Sequence, residues 1–284
     1  QVVAGDGQDK GFTVLNIILK AFIGERDVIY FTIIAALCML CVTFAYRKYS
    51  YSFALSVFLF VISTDAYQWL FNGMRQFIPA AVLFACMGLI LKKKYIPLII
   101  IILILSTVHL SALLMIPCIF IVQGKPWNKK TMLFMVAVVV IILFVDRFTD
   151  VLETLLANTQ YDDVTEQFQY DDGTNLLRVL VYSVPPVLAL IGRKQIGKID
   201  SPIVNLSINM SIISMGIYIV SMFTSGIYIG RLPIYFSLYN YILLPWELDN
   251  LFTKRSAILL KIAMIGFYVV YCYYQMVVSW GYTW

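Results

Sequence analysis

Two arginines lie where an anion could be bound. Arg75 and Arg231 each stand at the beginning of an apolar segment that is long enough to form a helix. A guanidinium group donates paired hydrogen bonds to phosphate oxygens, and a helix N-terminus adds partial positive charge. The pair therefore predicts an oxyanion site, although an arginine at a helix end can also simply reach lipid headgroups.

His109, the only histidine, is the residue that could move a proton in such a site. Imidazole gains and loses its proton close to neutral pH, which suits a general base. The alternative is a structural histidine that forms a hydrogen bond between two membrane helices. With one histidine, and with five cysteines that all lie in apolar runs, the sequence has neither metal-site nor disulfide spacing, so we predict no metal.

Apolar segments must position these residues. Of the 284 residues, 61% are hydrophobic and only 13% are charged, which is too little polar surface for a soluble protein of this size. About 20 apolar residues cross a bilayer. Runs of that kind occur at about 28–46, 51–70, 74–91, 131–149, 175–192, 203–224, 229–246 and 257–280. We therefore predict an all-α polytopic transmembrane helix bundle in which residues 1–284 form a single membrane domain.

Basic clusters predict the orientation, because cytoplasmic loops collect Lys and Arg. Five clusters hold 14 of the 21 basic residues: Arg47-Lys48, Lys92–Lys94, Lys125 with Lys129-Lys130, Arg193-Lys194 with Lys198, and Lys254-Arg255 with Lys261. If all five are inside, residues 95–122 must enter and leave the membrane from the cytoplasmic side as a short helical hairpin with its tip near Thr107–Ser111. The alternative is a single kinked crossing that places residues 123–130 outside.

Two other segments are then extracytoplasmic. Residues 1–27 include an apolar stretch that is too short to span and is typical of a helix at the membrane surface. Residues 150–174 form an acidic loop without metal-binding spacing, which we interpret as a solvated cap. In this topology Arg75, His109 and Arg231 all lie on the outer side of the membrane. That coincidence favours a functional site over three unrelated structural roles.

Three motifs, taken in order, resemble the EpsG family. They are Asn72-x-x-Arg75-Gln76 at the start of a helix, Val108-His109-Leu110-Ser111-Ala112 within an apolar run, and Gly230-Arg231-x-x-x-Tyr235-Phe236. Asp9-Lys10-Gly11-Phe12 before the first helix is also similar to the acidic-x-Gly-aromatic opening of that family. The resemblance covers nearly the whole chain, although the proline that usually precedes the opening glycine is absent.

The resemblance implies a Wzy-type polysaccharide polymerase, a glycosyltransferase with a GT-C-like membrane fold. Such an enzyme joins oligosaccharide repeat units carried on undecaprenyl diphosphate into exopolysaccharide or capsule, at the outer face of the bacterial cytoplasmic membrane. Its partners would be the lipid-linked oligosaccharide, the bilayer and other polysaccharide-assembly membrane proteins, with no nucleic acid. No cofactor is expected, because a lipid diphosphate is already a competent leaving group.

The resemblance also implies roles for individual residues. Arg75 and Arg231 would bind the diphosphate and stabilise the charge that develops on it. His109 would deprotonate the acceptor hydroxyl, with Asp65 as the alternative base. The residues that would orient the substrate or the arginines are Asn72, Gln76 and Tyr235.

Two other functions stay open at this point. A membrane acyltransferase that modifies surface glycans could use His109 as its base, but it would have no diphosphate for the arginines to hold. A lipid-linked oligosaccharide flippase or transporter would favour charges in both halves of the membrane and an internal repeat, and the sequence has neither.

Overall fold

The computed structural model describes residues 9–156 and 173–281. Within these ranges all regular structure is helical, which confirms the predicted all-α fold. In chain order the α-helices are α1 Lys10–Ile23, α2 Asp27–Tyr49, α3 Phe53–Ile62, α4 Asp65–Asn72, α5 Met74–Ala85, α6 Met87–Leu91, α7 Tyr95–Ser106, α8 Met115–Ile121, α9 Lys129–Leu143, α10 Val145–Leu156, α11 Leu176–Ile191, α12 Arg193–Ile199, α13 Pro202–Ser221, α14 Ile234–Ser237, α15 Asn240–Asn250 and α16 Lys254–Tyr273. Shorter segments are the 3-10 helices Leu110–Leu114 and Ile229–Arg231 and the π-helix Tyr274–Ser279.

Among the described residues, three helices are long and apolar enough to cross a bilayer by themselves: α2, α13, and α16 with its π-helical extension. Three further pairs qualify together but bend sharply, by 62° between α3 and α4, 99° between α9 and α10, and 73° between α11 and α12. In α13, 83% of the apolar window is buried, against 22% in α2 and in α16. α13 therefore forms the centre of the bundle, while α2 and α16 lie at its lipid-facing periphery.

Four of the apolar runs predicted from the sequence are divided rather than continuous: 51–70, 74–91, 131–149 and 229–246. The run 51–70 breaks between α3 and α4, where Thr64 has a positive φ of 66°. The run 229–246 is not one helix but a 3-10 turn followed by α14 and α15, and Pro233, which cannot donate to a helical ladder, separates the 3-10 turn from α14. The breaks in 51–70 and 229–246 leave helix ends next to Asp65 and Arg231, at the candidate site.

Residues 95–122 form two short helical arms that lie side by side. α7 has 12 residues, and at 1.5 Å per residue it is about 18 Å long, which is less than the ~30 Å of a bilayer core. The chain leaves α7 at Thr107 and returns through the 3-10 helix and α8, both of which contact α7. Near the other end of the arms, the rings of Tyr95 and Phe120 are 5.1 Å apart. Residues 107–109 thus form the turn between the arms.

The turn and the open end of the arms lie at opposite ends of the bundle. At the turn, the backbone N–H of Gly11 donates to the carbonyl oxygen of Thr107 over 2.9 Å. At the open end, Trp127 packs against a buried cluster that contains Ala189, Ile196 and Trp246, from α11, α12 and α15. The basic clusters of α12 and of the α15–α16 junction are at this second end. Which side of the membrane each end faces stays a prediction.

The predicted outer segments are partly described. α1 has 14 residues, none of them buried, and it is too short to span a bilayer, as a surface helix would be. The predicted cap, residues 150–174, begins within α10. Its acidic residues from Asp162 to Asp172 lie outside the described residues, as do residues 1–8.

Cysteine labelling tests the membrane sides of the hairpin. In a background without the five native cysteines, Lys93→Cys and Lys129→Cys are expected to resist an impermeant thiol reagent added outside, because both flank the open end of the arms. Asp163→Cys, in the predicted outer cap, is expected to react. Strong labelling at position 129 of intact cells would show that residues 95–122 cross the membrane once.

Candidate active site

Arg231 lies on an aromatic surface. Its guanidinium carbon is 5.0 Å from the ring centroid of Trp69 in α4, within the range of a cation–π interaction. Arg231 ends the 3-10 helix that precedes Pro233, so its backbone is fixed by a short turn rather than by a long helix. The indole therefore determines where the guanidinium lies.

Gly73 leaves the space that this indole occupies. A Cβ atom at Gly73 would be 2.3 Å from Cε3 of Trp69 and 2.8 Å from its Cζ3, so any other residue here would displace the indole. Gly73 also separates α4 from α5. The glycine of the Asn72–Gln76 motif is thus explained by a close approach between backbone and ring.

The first turn of α5 connects the two arginines. The Gln76 side chain is 7% exposed, and its Nε2 donates to the backbone carbonyl of Arg231 over 3.4 Å. Arg75 precedes it, with 56% of its side chain exposed. The Arg75 guanidinium contacts the Asp9 carboxylate at 3.2 Å and lies 5.8 Å from the ring centroid of Phe12. Gln76 therefore binds the backbone of Arg231, while the neighbouring Arg75 contacts the beginning of α1.

His109 is connected to α14 by two hydrogen bonds. Its Nδ1 is 2.6 Å from the Ser111 hydroxyl, which is 2.9 Å from the Tyr235 hydroxyl. Two residues before His109, Thr107 accepts a hydrogen bond from Gly11, whose neighbours Asp9 and Phe12 contact Arg75. Gln76, next to Arg75, donates to the backbone of Arg231, so all three groups lie at one end of the bundle. When Nδ1–H donates to Ser111, the lone pair of a neutral imidazole is on Nε2, which can then accept a proton.

The start of α1 packs on this group of residues. Besides the contacts of Asp9 and Phe12 with Arg75, a Cβ atom at Gly11 would be 2.1 Å from Oγ1 of Thr107 and 2.8 Å from its carbonyl carbon. Burial raises the pKa of the Asp9 carboxyl, and the Arg75 guanidinium beside it acts in the opposite direction. Asp9 and Phe12 thus contact Arg75, and Gly11 contacts the turn between the hairpin arms.

Gly11→Ala is expected to reduce activity by about 10²-fold, because a displacement of about 1 Å at a catalytic group can cost that much. The added methyl group must push the Thr107 backbone, which is two residues from His109. The measurement is polymer formation by purified protein, with the amount of folded protein measured in parallel. Gly266→Ala is the matched control, since nothing lies within 4 Å of a Cβ atom there. Equal activity in the two variants would contradict a positioning role for α1.

A family model described as the EpsG family matches residues 2–284. The chain belongs to the EpsG family. The resemblance seen in the three sequence motifs is thereby confirmed, and membership makes the protein a membrane protein of polysaccharide assembly with a polymerase-type role. Neither the curated proteins nor the solved structures include a match to the chain.

In this EpsG-family protein, Asp65 lies apart from His109 in its own ion pair. Its Oδ1 is 3.1 Å from Nη2 of Arg178, and the two side chains are 4% and 17% exposed. Buried tyrosines surround the pair, among them Tyr182, Tyr218 and Tyr271. A carboxylate that is buried and held by a guanidinium is poorly placed to reach an acceptor hydroxyl. The geometry therefore favours His109 over Asp65 as the base.

Asn72 is the remaining predicted residue. It is exposed at the C-terminal end of α4 and borders a small cavity together with Arg231. Tyr235, by contrast, is 2% exposed, so it reaches the site through Ser111 rather than by direct access. A role for Tyr235 in holding the His109–Ser111 pair therefore suits the structure better than direct contact with substrate.

Sequence reasoning missed Arg178, Trp69 and Ser111. Arg178 carried a usable signal, because a charge inside the apolar run 175–192 is costly in a membrane and implies a buried partner. Trp69 and Ser111 carried no such signal, since the contacts of Trp69 with Arg231 and of Ser111 with Tyr235 join residues more than 100 positions apart. Within the described ranges no three His, Cys, Asp or Glu side chains cluster in a way that could hold a metal ion.

Proposed function

We propose that this protein polymerises oligosaccharide repeat units carried on undecaprenyl diphosphate, at the outer face of the bacterial cytoplasmic membrane. The observation that carries the proposal is the grouping of Arg75, Arg231 and His109 at one end of the bundle, through the contacts of Gly11, Asp9 and Gln76. Two guanidinium groups beside one imidazole suit a reaction in which a diphosphate leaves and a hydroxyl loses its proton. Membership in the EpsG family points to the same class of reaction.

In the proposed reaction, the hydroxyl oxygen of the acceptor sugar attacks the anomeric carbon of the donor glycan. The bond between that carbon and the diphosphate oxygen breaks, and its electron pair leaves with the lipid diphosphate. His109 takes the hydroxyl proton on Nε2 and later releases it to water or to the diphosphate. Arg75 and Arg231 stabilise the negative charge that the diphosphate gains in the transition state.

The residues around the three groups have supporting roles in this proposal. Ser111 and Tyr235 hold the imidazole in the tautomer that accepts a proton on Nε2, as a second group orients the base in other acid–base catalysts. Gln76 holds the backbone of Arg231. Asn72, at the border of the cavity, contacts the donor or the acceptor glycan.

The test is an assay of purified protein in lipid nanodiscs with lipid-linked repeat units as the only substrate. We expect a ladder of longer glycans and one undecaprenyl diphosphate released for each bond formed. An acylated glycan formed only when an acyl donor is added would instead identify an acyltransferase. Movement of the lipid-linked unit between leaflets without a new glycosidic bond would identify a flippase. Either result would overturn the proposal.

A further inference from the structure

A cavity of about 180 Å³ opens between α4, the start of α11 and the end of the described chain. Its volume is below the roughly 300 Å³ at which pockets for drug-sized ligands begin, so it has room for one ring-sized group but not for an oligosaccharide. The side chains that line it and matter here are Gln68, Trp69, Asn72, Arg178, Arg231 and Trp280.

The lining combines side-chain amides with indoles. Gln68 is half-buried, and within the described part of the chain its Nε2 donates to the thioether sulfur of Met276 at 3.1 Å, which is a weak acceptor. Asn72 makes no side-chain hydrogen bond to any described residue. Both amides can therefore donate to and accept from hydroxyl groups, while Trp69 and Trp280 add apolar surface for a ring to contact.

One wall of the cavity, called its floor here, is formed by a buried ion pair. Asp65 and Arg178 form their buried ion pair there, and both side chains border the cavity. Breaking such a pair leaves a buried charge uncompensated, so the pair holds α4 against α11. The floor is thus a fixed polar surface rather than a flexible apolar one.

Arg231 belongs both to this cavity and to the diphosphate site of the proposed function. Its guanidinium lies on Trp69, which lines the cavity, and its backbone is held by Gln76 beside Arg75. A group bound in the cavity therefore lies next to whatever Arg231 holds. If Arg231 holds a diphosphate, the adjacent group is the one bonded to that diphosphate.

We propose that the cavity binds the single sugar that is bonded directly to the diphosphate of the lipid-linked donor. This inference rests on the proposed function, since it takes the ligand of Arg231 to be the diphosphate. Gln68 binds a ring hydroxyl, the two indoles contact the apolar parts of the ring, and the Asp65–Arg178 pair closes the site below it. The cavity thus selects the first sugar of the repeat unit, while the rest of the glycan extends outward.

Equilibrium binding to the purified full chain tests this assignment. The probes are undecaprenyl diphosphate alone and undecaprenyl diphosphate bearing one sugar, taken from glucose, galactose and their N-acetylamino derivatives. The unaltered protein is expected to bind at least one sugar-bearing probe more tightly than the bare diphosphate. Gln68→Ala is expected to weaken that binding about three- to tenfold, as the loss of one hydrogen bond does, and to leave binding of the bare diphosphate unchanged.

Two comparison variants make the outcome decisive. Arg231→Ala is expected to weaken binding of both probes, whereas Gln123→Ala, a half-buried glutamine at the open end of the hairpin arms, is expected to change neither. The sugar site is overturned if no sugar-bearing probe binds more tightly than undecaprenyl diphosphate alone, or if Gln68→Ala weakens the binding of both probes equally. Either result leaves the diphosphate site in place. If the protein binds neither probe, the proposed function itself fails.

Discussion

Arg231→Ala is expected to reduce the rate of polymer formation by about 10²- to 10³-fold, the cost of removing one well-placed donor to a developing oxyanion. The guanidinium lies on Trp69 and its backbone accepts a hydrogen bond from Gln76, so its position is set before substrate binds. Arg75→Ala is expected to cost less. More than half of the Arg75 side chain is exposed, and its ion pair with Asp9 competes with a bound phosphate.

Lysine substitutions show how the arginines act. A lysine keeps the charge but offers a point donor in place of a planar fork, so Arg231→Lys and Arg75→Lys are each expected to recover only part of the lost activity. Arg147→Ala is the control, because Arg147 is a highly exposed arginine whose ion pair, among the described residues, is with Asp150 three residues further along α10. Full activity in both lysine variants would show that bidentate binding of phosphate is not their role.

The helical fold could be predicted because its signals are local. Each span is a run of apolar residues, and the basic clusters between the runs lie at one end of the bundle wherever the structure brings them together. The prediction was weaker where a helix ends inside a run. Thr64 with its positive φ and the turn before Pro233 depend on neighbouring elements, so the composition of 51–70 and 229–246 did not reveal the breaks.

The candidate site could be predicted in part for the same reason. Arg75, His109 and Arg231 are rare polar residues in apolar surroundings, and a charge or imidazole in a membrane protein requires a partner or a function. The sequence does not say which partner each residue has. Asp65 was predicted as the alternative base, and the sequence did not show its ion pair with Arg178, 113 positions further along the chain.

Asp65→Asn is consequently not a clean test of a catalytic base. Removing the carboxylate leaves Arg178 buried without its counter-charge, and breaking a buried pair in this way costs about 3–5 kcal/mol of stability. A loss of activity in Asp65→Asn would therefore come with a lower unfolding temperature. His109→Ala does not break a buried ion pair in this way, because His109 forms a hydrogen bond with the Ser111 hydroxyl.

His109→Ala is expected to slow turnover by about 10²- to 10⁴-fold, the usual contribution of a general base, while binding of undecaprenyl diphosphate is retained. His109→Gln can still form a hydrogen bond with Ser111 but cannot accept a proton at neutral pH, so it is expected to be nearly as slow. Ser111→Ala keeps the imidazole and removes the group that orients it, so a smaller loss is expected there. The measurement is the single-turnover rate with prebound donor, which separates chemistry from binding and from product release.

The glutamine variant decides between the two roles of His109. If His109→Gln restores full turnover, the imidazole only holds the turn of the hairpin in place through Ser111 and Tyr235, and it takes up no proton. The acceptor hydroxyl would then lose its proton to water or to the departing diphosphate, whose oxygens gain negative charge as the bond to the sugar breaks. In that case Arg75 and Arg231 would govern both leaving-group stabilisation and proton transfer, because they set how basic those oxygens become. The reduction in turnover rate caused by Arg231→Ala would then become larger with an acceptor whose hydroxyl is less acidic. With His109 as the base, that reduction would be the same for both acceptors.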